Sequence, residues 1–240
     1  MDRVKERFAG WLNDAHLTLT EGQWQQFEQY YQLLTEWNER MNLTAITERE
    51  QVYTKHFYDS ISLSFFFPMN ETGCVADIGS GAGFPSLPLK IMFPQLRVTI
   101  IDSLNKRVQF LQHVVESLGL PDVACVHGRA EEIGRSKEHR DRYDVVTARA
   151  VARLNVLNEF CLPFVRPGGH FIAMKGSQGK EELAEAGKSF QELRGALVST
   201  HEMQLPEEEG QRLLIVVKKT GATPGKYPRK PGTPLKQPIV

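Results

Sequence analysis

From Cys74 to Pro85 the chain runs through a short apolar stretch, an acid at Asp77, glycines at positions 79, 81 and 83, and then Phe84 at the start of a helical pattern. Glycine alone adopts left-handed backbone angles at little cost and lets another group approach the main chain closely. The helix that follows leaves its first N–H groups unpaired over the loop. A strand that turns this tightly into a helix is the first unit of an alternating α/β fold, and the rest of the chain continues the pattern. Short apolar runs at 74–78, 97–101, 123–127, 143–148 and 170–175 alternate with helical periodicity at 84–92, 104–118, 154–165 and 178–194. Runs at 196–204 and 212–218 suit an antiparallel edge pair. Apolar strands separated by helices require a sheet covered on both faces. The expected fold is therefore a doubly wound, mostly parallel seven-stranded α/β sheet with a helical N-terminal extension.

That extension is read from Trp24, Phe27, Tyr30, Tyr31, Leu34, Trp37 and Met41, which recur at helical spacing behind a Thr20/Gln23 capping box. A second helix is expected to start at Thr47, with Glu50 three residues on, and to continue through Val52, His56, Phe57 and Ile61. Residues 1–70 read as a helical lid, 71–219 as the catalytic domain and 220–240 as a tail. The tail is proline-rich, lacks acids and carries Lys226, Arg229, Lys230 and Lys236. Proline removes donors and fixes a torsion, so the tail is expected to be extended and free of helix, either solvated or ordered as a basic arm on phosphates.

The formal net charge is zero, so any affinity for nucleic acid has to come from local clusters. No stretch approaches the roughly 20 apolar residues that span a bilayer, and residues 1–7 lack a signal peptide's apolar segment. Cys74, Cys125 and Cys161 form no CxxC pair and read as reduced core residues. These features suit a cytoplasmic protein with no metal site.

Which ligand the loop takes depends on its details. A dinucleotide turn needs glycine three residues beyond Gly81, where this chain has Phe84. Asp77, two residues before the first glycine, would repel a pyrophosphate but suits the sulfonium and ammonium of S-adenosylmethionine. Asp102, at the end of the second apolar run, can accept hydrogen bonds from two ribose hydroxyls; the alternative is a cap for the following helix. Arg149 falls at the mouth of the same edge with no acid near it in sequence. Lys175 adds a further cation there, whereas His56 reads as a satisfied core histidine.

The runs HFYDSI (56–61), DIGSGAGFPSLPLKI (77–91), IDSLNKRVQFL (101–111), GRAE (128–131), VVTARAVA (145–152) and KYPRKPGTP (226–234) resemble the RsmG (GidB) family along essentially the whole chain. The resemblance implies a Rossmann-like methyltransferase that moves a methyl group from S-adenosylmethionine to N7 of a guanine in 16S ribosomal RNA, naked or in a small-subunit particle. It implies cofactor contacts at Gly79, Phe84, Ala130, Glu131 and Arg149, beside Asp77, Gly81, Gly83 and Asp102 from the residue reading. Lys175, Lys226, Arg229 and Lys230 are the candidate RNA contacts, and a monomer is expected.

The residues are compatible with N7 chemistry. The turn that usually serves exocyclic amines, (N/D)-P-P-(Y/F/W), is absent after the fourth strand, and Cys161 lies within an apolar helix rather than beside a base. Guanine N7 has an in-plane lone pair and no proton, so no catalytic dyad is needed. The rivals are an S-adenosylmethionine-dependent enzyme for another substrate, a non-catalytic RNA-binding assembly factor, and a nicotinamide oxidoreductase that Phe84 disfavours.

Overall fold

The alternation is realised in a computed structural model that describes residues 2–240, the side chain of Glu208 excepted. Among the described residues, strands β1 (Cys74–Ile78), β2 (Arg97–Asp102), β3 (Val123–His127), β4 (Tyr143–Arg149), β5 (Val165–Lys175), β6 (Gly195–Gln204) and β7 (Gln211–Lys219) form one sheet. Their spatial order is β3-β2-β1-β4-β5-β7-β6. β1 pairs in parallel with both β2 and β4, so the strand order reverses between them. An open α/β sheet leaves a crevice beyond its strand ends at such a point. β7 runs antiparallel between β5 and β6, as the spacing of the last two runs predicts.

Side chains alternate across the sheet and feed two cores. Val75, Val98 and Ile100 face one apolar cluster, whereas Ala76, Ile78, Ile101 and Val146 face the other. The first cluster is shared with the N-terminal helices α1 (Arg3–Asp14) and α2 (Glu21–Met41): Phe8, Trp24, Phe27, Tyr30 and Leu34 are buried against Leu87 and Phe110. The expected capping box is present, with Thr20 and Gln23 bonded reciprocally. Gln23 also donates to the Ile91 carbonyl at 2.8 Å. One residue thus starts α2 and satisfies a C-terminal carbonyl of α5 (Ser86–Met92).

After α2 come α3 (Arg49–Val52), a π-helical segment (Tyr53–Tyr58) and α4 (Asp59–Ile61). The N-cap of α3 is Glu48, without a side-chain bond, and not Thr47 as the spacing suggests. The remaining helices are α6 (Asn105–Ser117), α7 (Ala130–Ile133), α8 (Leu154–Cys161), α9 (Gly179–Glu185), α10 (Gly187–Glu192) and α11 (Thr233–Lys236). α8 stops short of the expected residue 165 because Pro163 has no N–H and disfavours helix before it. The single helix expected at 178–194 is two. The Ser189 hydroxyl donates to the Ala186 carbonyl at 2.7 Å where Gly187 weakens the helix.

The tail departs most from expectation, since it is docked and contains α11. The prolines of the tail supply no N–H for its carbonyls, and Arg140 donates to those of Thr223, Pro224 and Tyr227. Lys219, fully buried, binds Thr223 Oγ1 at 2.6 Å, with its ammonium also 3.2 Å from Asp141. Burial lowers its pKa to about 8. Further along, Tyr227, Pro234 and Ile239 are buried.

Candidate active site

The loop after β1 lies at the crevice, and its three glycines do different work. Gly79 has φ +72°, and a Cβ there would lie 2.8 Å from Val151 Cγ2, in the segment after β4. Gly81 has positive φ too, but a Cβ would meet nothing within 4 Å, so this part of the floor is open. Gly83 is reserved for the protein itself. Its missing side chain leaves room for Tyr30 of α2, whose hydroxyl donates to the Ala82 carbonyl at 2.5 Å.

The two acids are held from behind the loop. Asp77 is fully buried; Oδ2 accepts from the Ser86 N–H at 3.1 Å, at the start of α5, and Oδ1 has no partner. Burial pushes this carboxyl up to about 7, against smaller opposing effects of Ser86 and Arg149. Asp102 accepts from the N–H groups of Gly81 at 3.1 Å and Leu104 at 2.9 Å, so it both ties the loop to β2 and leads into α6. Each oxygen retains acceptor capacity.

A cavity of about 180 Å³ opens beside this loop, lined by Ile78, Gly79, Ile101, Ser103, Gly128, Ala130, Glu131, Val151, Phe160 and Leu235, among others. The structure therefore brings Gly79, Ala130 and Glu131 together, as the resemblance implies. Glu131 is buried and accepts from the Gly232 N–H of the tail at 2.9 Å.

A second cavity, of about 450 Å³, is lined by Ile46, Lys55, His56, Asp59, Arg149, Lys175, Glu182 and Arg212, among others. Phe84, which follows the glycine loop, packs against two residues of this second cavity, His56 and Arg149. Its ring is stacked on His56 (4.5 Å between centroids, 22°) and on Tyr30 (5.6 Å, 28°), and the Arg149 guanidinium lies 5.0 Å from its centre. The residue that excluded a dinucleotide turn thus ties the loop to the N-terminal helices.

Arg149 is not the unpaired arginine its sequence neighbourhood suggests. Its Nη1 donates to Asp59 Oδ2 at 2.9 Å and to the Lys55 carbonyl at 3.0 Å. Asp59 Oδ1 in turn accepts from Arg212 Nε at 2.9 Å. A single carboxylate, 1% exposed, therefore orients two arginines from β4 and β7. Asp59, Arg212 and Lys55 were missed as site residues. The available signal was the HFYDSI run, which contains both His56 and Asp59. His56 is a satisfied histidine, as expected, and it also lines the cavity: Nε2 lies 2.8 Å from Thr44 Oγ1 and Nδ1 3.1 Å from the Lys55 carbonyl. Burial first, and the Arg149 charge second, lower its pKa to about 3, so it is neutral at physiological pH.

Three of the four candidate RNA contacts are engaged within the protein. Lys175 is buried with Glu182 at 2.6 Å and donates to the Ala152 carbonyl at 2.8 Å. Lys226 pairs with Glu192 at 2.6 Å. Arg229 meets the buried Glu159 through Nη2 at 2.6 Å and Nε at 3.0 Å, and its backbone N–H donates to the same carboxylate. Tail residues lacking acids of their own find them on the domain. Lys230 is exposed. Cys161 is fully buried, and burial raises its thiol pKa well above the usual range, so it is no nucleophile for this site.

A family model described as GidB, rRNA small subunit methyltransferase G, matches residues 23–213. The protein named ribosomal RNA small subunit methyltransferase G in Staphylococcus aureus (strain Newman) is 56% identical over 235 residues, covering 98% of each chain. Among solved structures, a putative O-methyltransferase from Klebsiella pneumoniae aligns with a TM-score of 0.59 at 14% identity, over 89% of this chain and 96% of that one. Aeropyrum pernix fibrillarin, in complex with natively bound S-adenosyl-L-methionine, aligns at 0.52 and 12% identity, over 67% of this chain and 73% of its own. At such identities the two structures speak for the fold alone.

Proposed function

Because the chain belongs to the GidB family of rRNA small subunit methyltransferases, an S-adenosylmethionine-dependent family, we propose that it methylates N7 of one guanine in 16S ribosomal RNA. The observation that carries this reading is the pair of cavities, one lined by Gly79 of the glycine loop and one walled by oriented cations. The residues fit an adenosyl cofactor. Gly81 leaves open floor, and Asp77 Oδ1 and Ser80 Oγ are buried there without partners. Gly79, Ala130 and Glu131 would hold the adenosine, Asp102 the ribose hydroxyls, and Arg149 the cofactor carboxylate.

When bound, S-adenosylmethionine supplies the electrophilic methyl group. The chain's own part is to position guanine and to tolerate the positive charge that develops on it. Neither task needs a base, and His56 and Asp59 are both engaged by neighbouring groups. The cations around the second cavity are nearly balanced: Arg149 and Arg212 share Asp59, Lys175 pairs with Glu182, and Lys55 pairs with Glu209. Such balance lets an arginine border a site where cationic guanine forms without strong repulsion. Arg212 and Lys55 line the cavity and would be the groups to meet a phosphate or the guanine O6 edge. Holding N7 in line with the methyl group is the main contribution, worth about 7–11 kcal/mol for a well-oriented pair. The same reading has a monomer acting in the cytoplasm; no described helix is long and apolar enough to cross a membrane.

The test is transfer of labelled methyl from S-adenosylmethionine to 16S rRNA, and to small subunits, from cells lacking the protein. Digestion to nucleosides should return the label as 7-methylguanosine. Label on an exocyclic amine or a ring carbon, or none on either RNA, would overturn the proposal.

A further inference from the structure

We propose that the C-terminal segment is part of the cofactor site, with Leu235 of α11 forming a wall against the adenine ring. This rests on the reading that the cavity beside Gly79 takes adenosine. Leu235 lines that cavity together with Gly79, Ser103 and Ala130. It is also 57% exposed, so its apolar surface faces solvent at the cavity rim.

The segment is fixed on both sides of Leu235. Before it, Arg229 makes its two-pronged pair with Glu159, a carboxylate with no exposure. At the start of α11, the Gly232 N–H is bonded to Glu131, which itself lines the cavity. After it, Ile239 is 6% exposed and belongs to the apolar cluster beneath. Leu235 is therefore delivered to the rim by a pinned strap. An apolar side chain at the rim of a cavity floored by Ile78, Ile101 and Phe160 suits the face of a flat heteroaromatic ring, whose burial would remove the leucine from water. A basic, proline-rich tail then acts in cofactor binding, through its one exposed leucine, rather than as an arm on RNA phosphates.

Calorimetry on the full-length protein tests this with two ligands. 5′-Methylthioadenosine keeps the adenosine of S-adenosylmethionine but lacks the amino-acid end. Leu235→Ala should weaken both ligands by the same factor, roughly three- to tenfold for the lost apolar contact, without lowering the melting temperature of the free protein. Leu235→Met, which preserves apolar bulk, should bind both within about twofold of the parent. Unchanged affinities in Leu235→Ala, or a loss confined to S-adenosylmethionine, would overturn the proposal while leaving the function intact. A parent protein that binds neither ligand would remove both readings.

Discussion

The two cavities are assembled in different ways. The smaller draws mainly on the ends of β1, β2 and β3 and the turns that follow them, which strand order brings together, and is completed by Val151, Phe160 of α8 and Leu235 of α11. The larger takes His56 and Asp59 from the N-terminal helices, Arg149 from β4, Lys175 from β5 and Arg212 from β7. What holds these in register is a set of ion pairs spanning up to 153 residues of sequence. One cavity is thus assembled chiefly by strand order and the turns that follow, whereas the one that orients cations depends on ion pairs between distant residues.

Breaking the second arrangement should have the largest effect. Asp59→Ala leaves Arg149 and Arg212 without their shared carboxylate, and removing one partner of a buried pair costs about 3–5 kcal/mol. Methyl transfer to rRNA should fall by roughly 100-fold or more, while 5′-methylthioadenosine binding stays within about threefold. Equal losses in both assays would show that the cavities are not separable.

Arg229→Ala sharpens the contrast from the side of the tail. Glu159 would remain buried and unpaired, so stability should drop by about 3 kcal/mol in chemical denaturation. The salt dependence of rRNA binding should be unchanged. A log–log slope shallower by about 0.7 would instead mean that Arg229 meets a phosphate. Gly79→Ala probes the local site. At φ +72° and 2.8 Å from Val151, the new methyl should cost about 1–3 kcal/mol, read as weaker S-adenosylmethionine binding with rRNA affinity kept.

A further contrast lies in pH dependence. Asp77 is raised from 3.8 to about 7 in the folded protein, so its contribution is fully present below pH 4 and is lost as pH rises through 7. His56, lowered from 6.5 to about 3, works the other way, and stability from that group falls as pH drops below 6.5. Asp77→Asn should therefore gain stability relative to the parent at pH 8 and lose that advantage at pH 4. A difference between variant and parent that does not change with pH would show that Asp77 is not buried as a carboxyl group.

The sheet was legible because each strand is a short apolar run with its own turn residues. The loop was legible because its glycine spacing, and a phenylalanine where a dinucleotide turn needs glycine, can be read from adjacent residues, even though Gly79 and Phe84 pack on Val151, His56 and Tyr30. Gly83 shows the limit of spacing: it resembles part of a ligand cradle, yet its space is filled by Leu87 and by Tyr30, the latter more than 50 residues away. Arg149 and Arg229 fail in the same manner. Each looked free because its partner, Asp59 or Glu159, is 90 or 70 residues distant. The docked tail was hidden for a related reason, since its acids and donors are supplied by Arg140, Glu131 and Glu159 on the domain.

The central claim is that the cofactor spans the two cavities, with adenosine beside Gly79 and its carboxylate on Arg149. It is tested most directly by titrating Arg149→Met with S-adenosylhomocysteine and with 5′-methylthioadenosine, Arg212 still pairing with Asp59 in the variant. S-Adenosylhomocysteine, which has the carboxylate, should bind at least about tenfold more weakly, as for a lost charge-assisted contact, and 5′-methylthioadenosine should bind as it does to the parent. Equal weakening of both ligands, or of neither, would contradict the account.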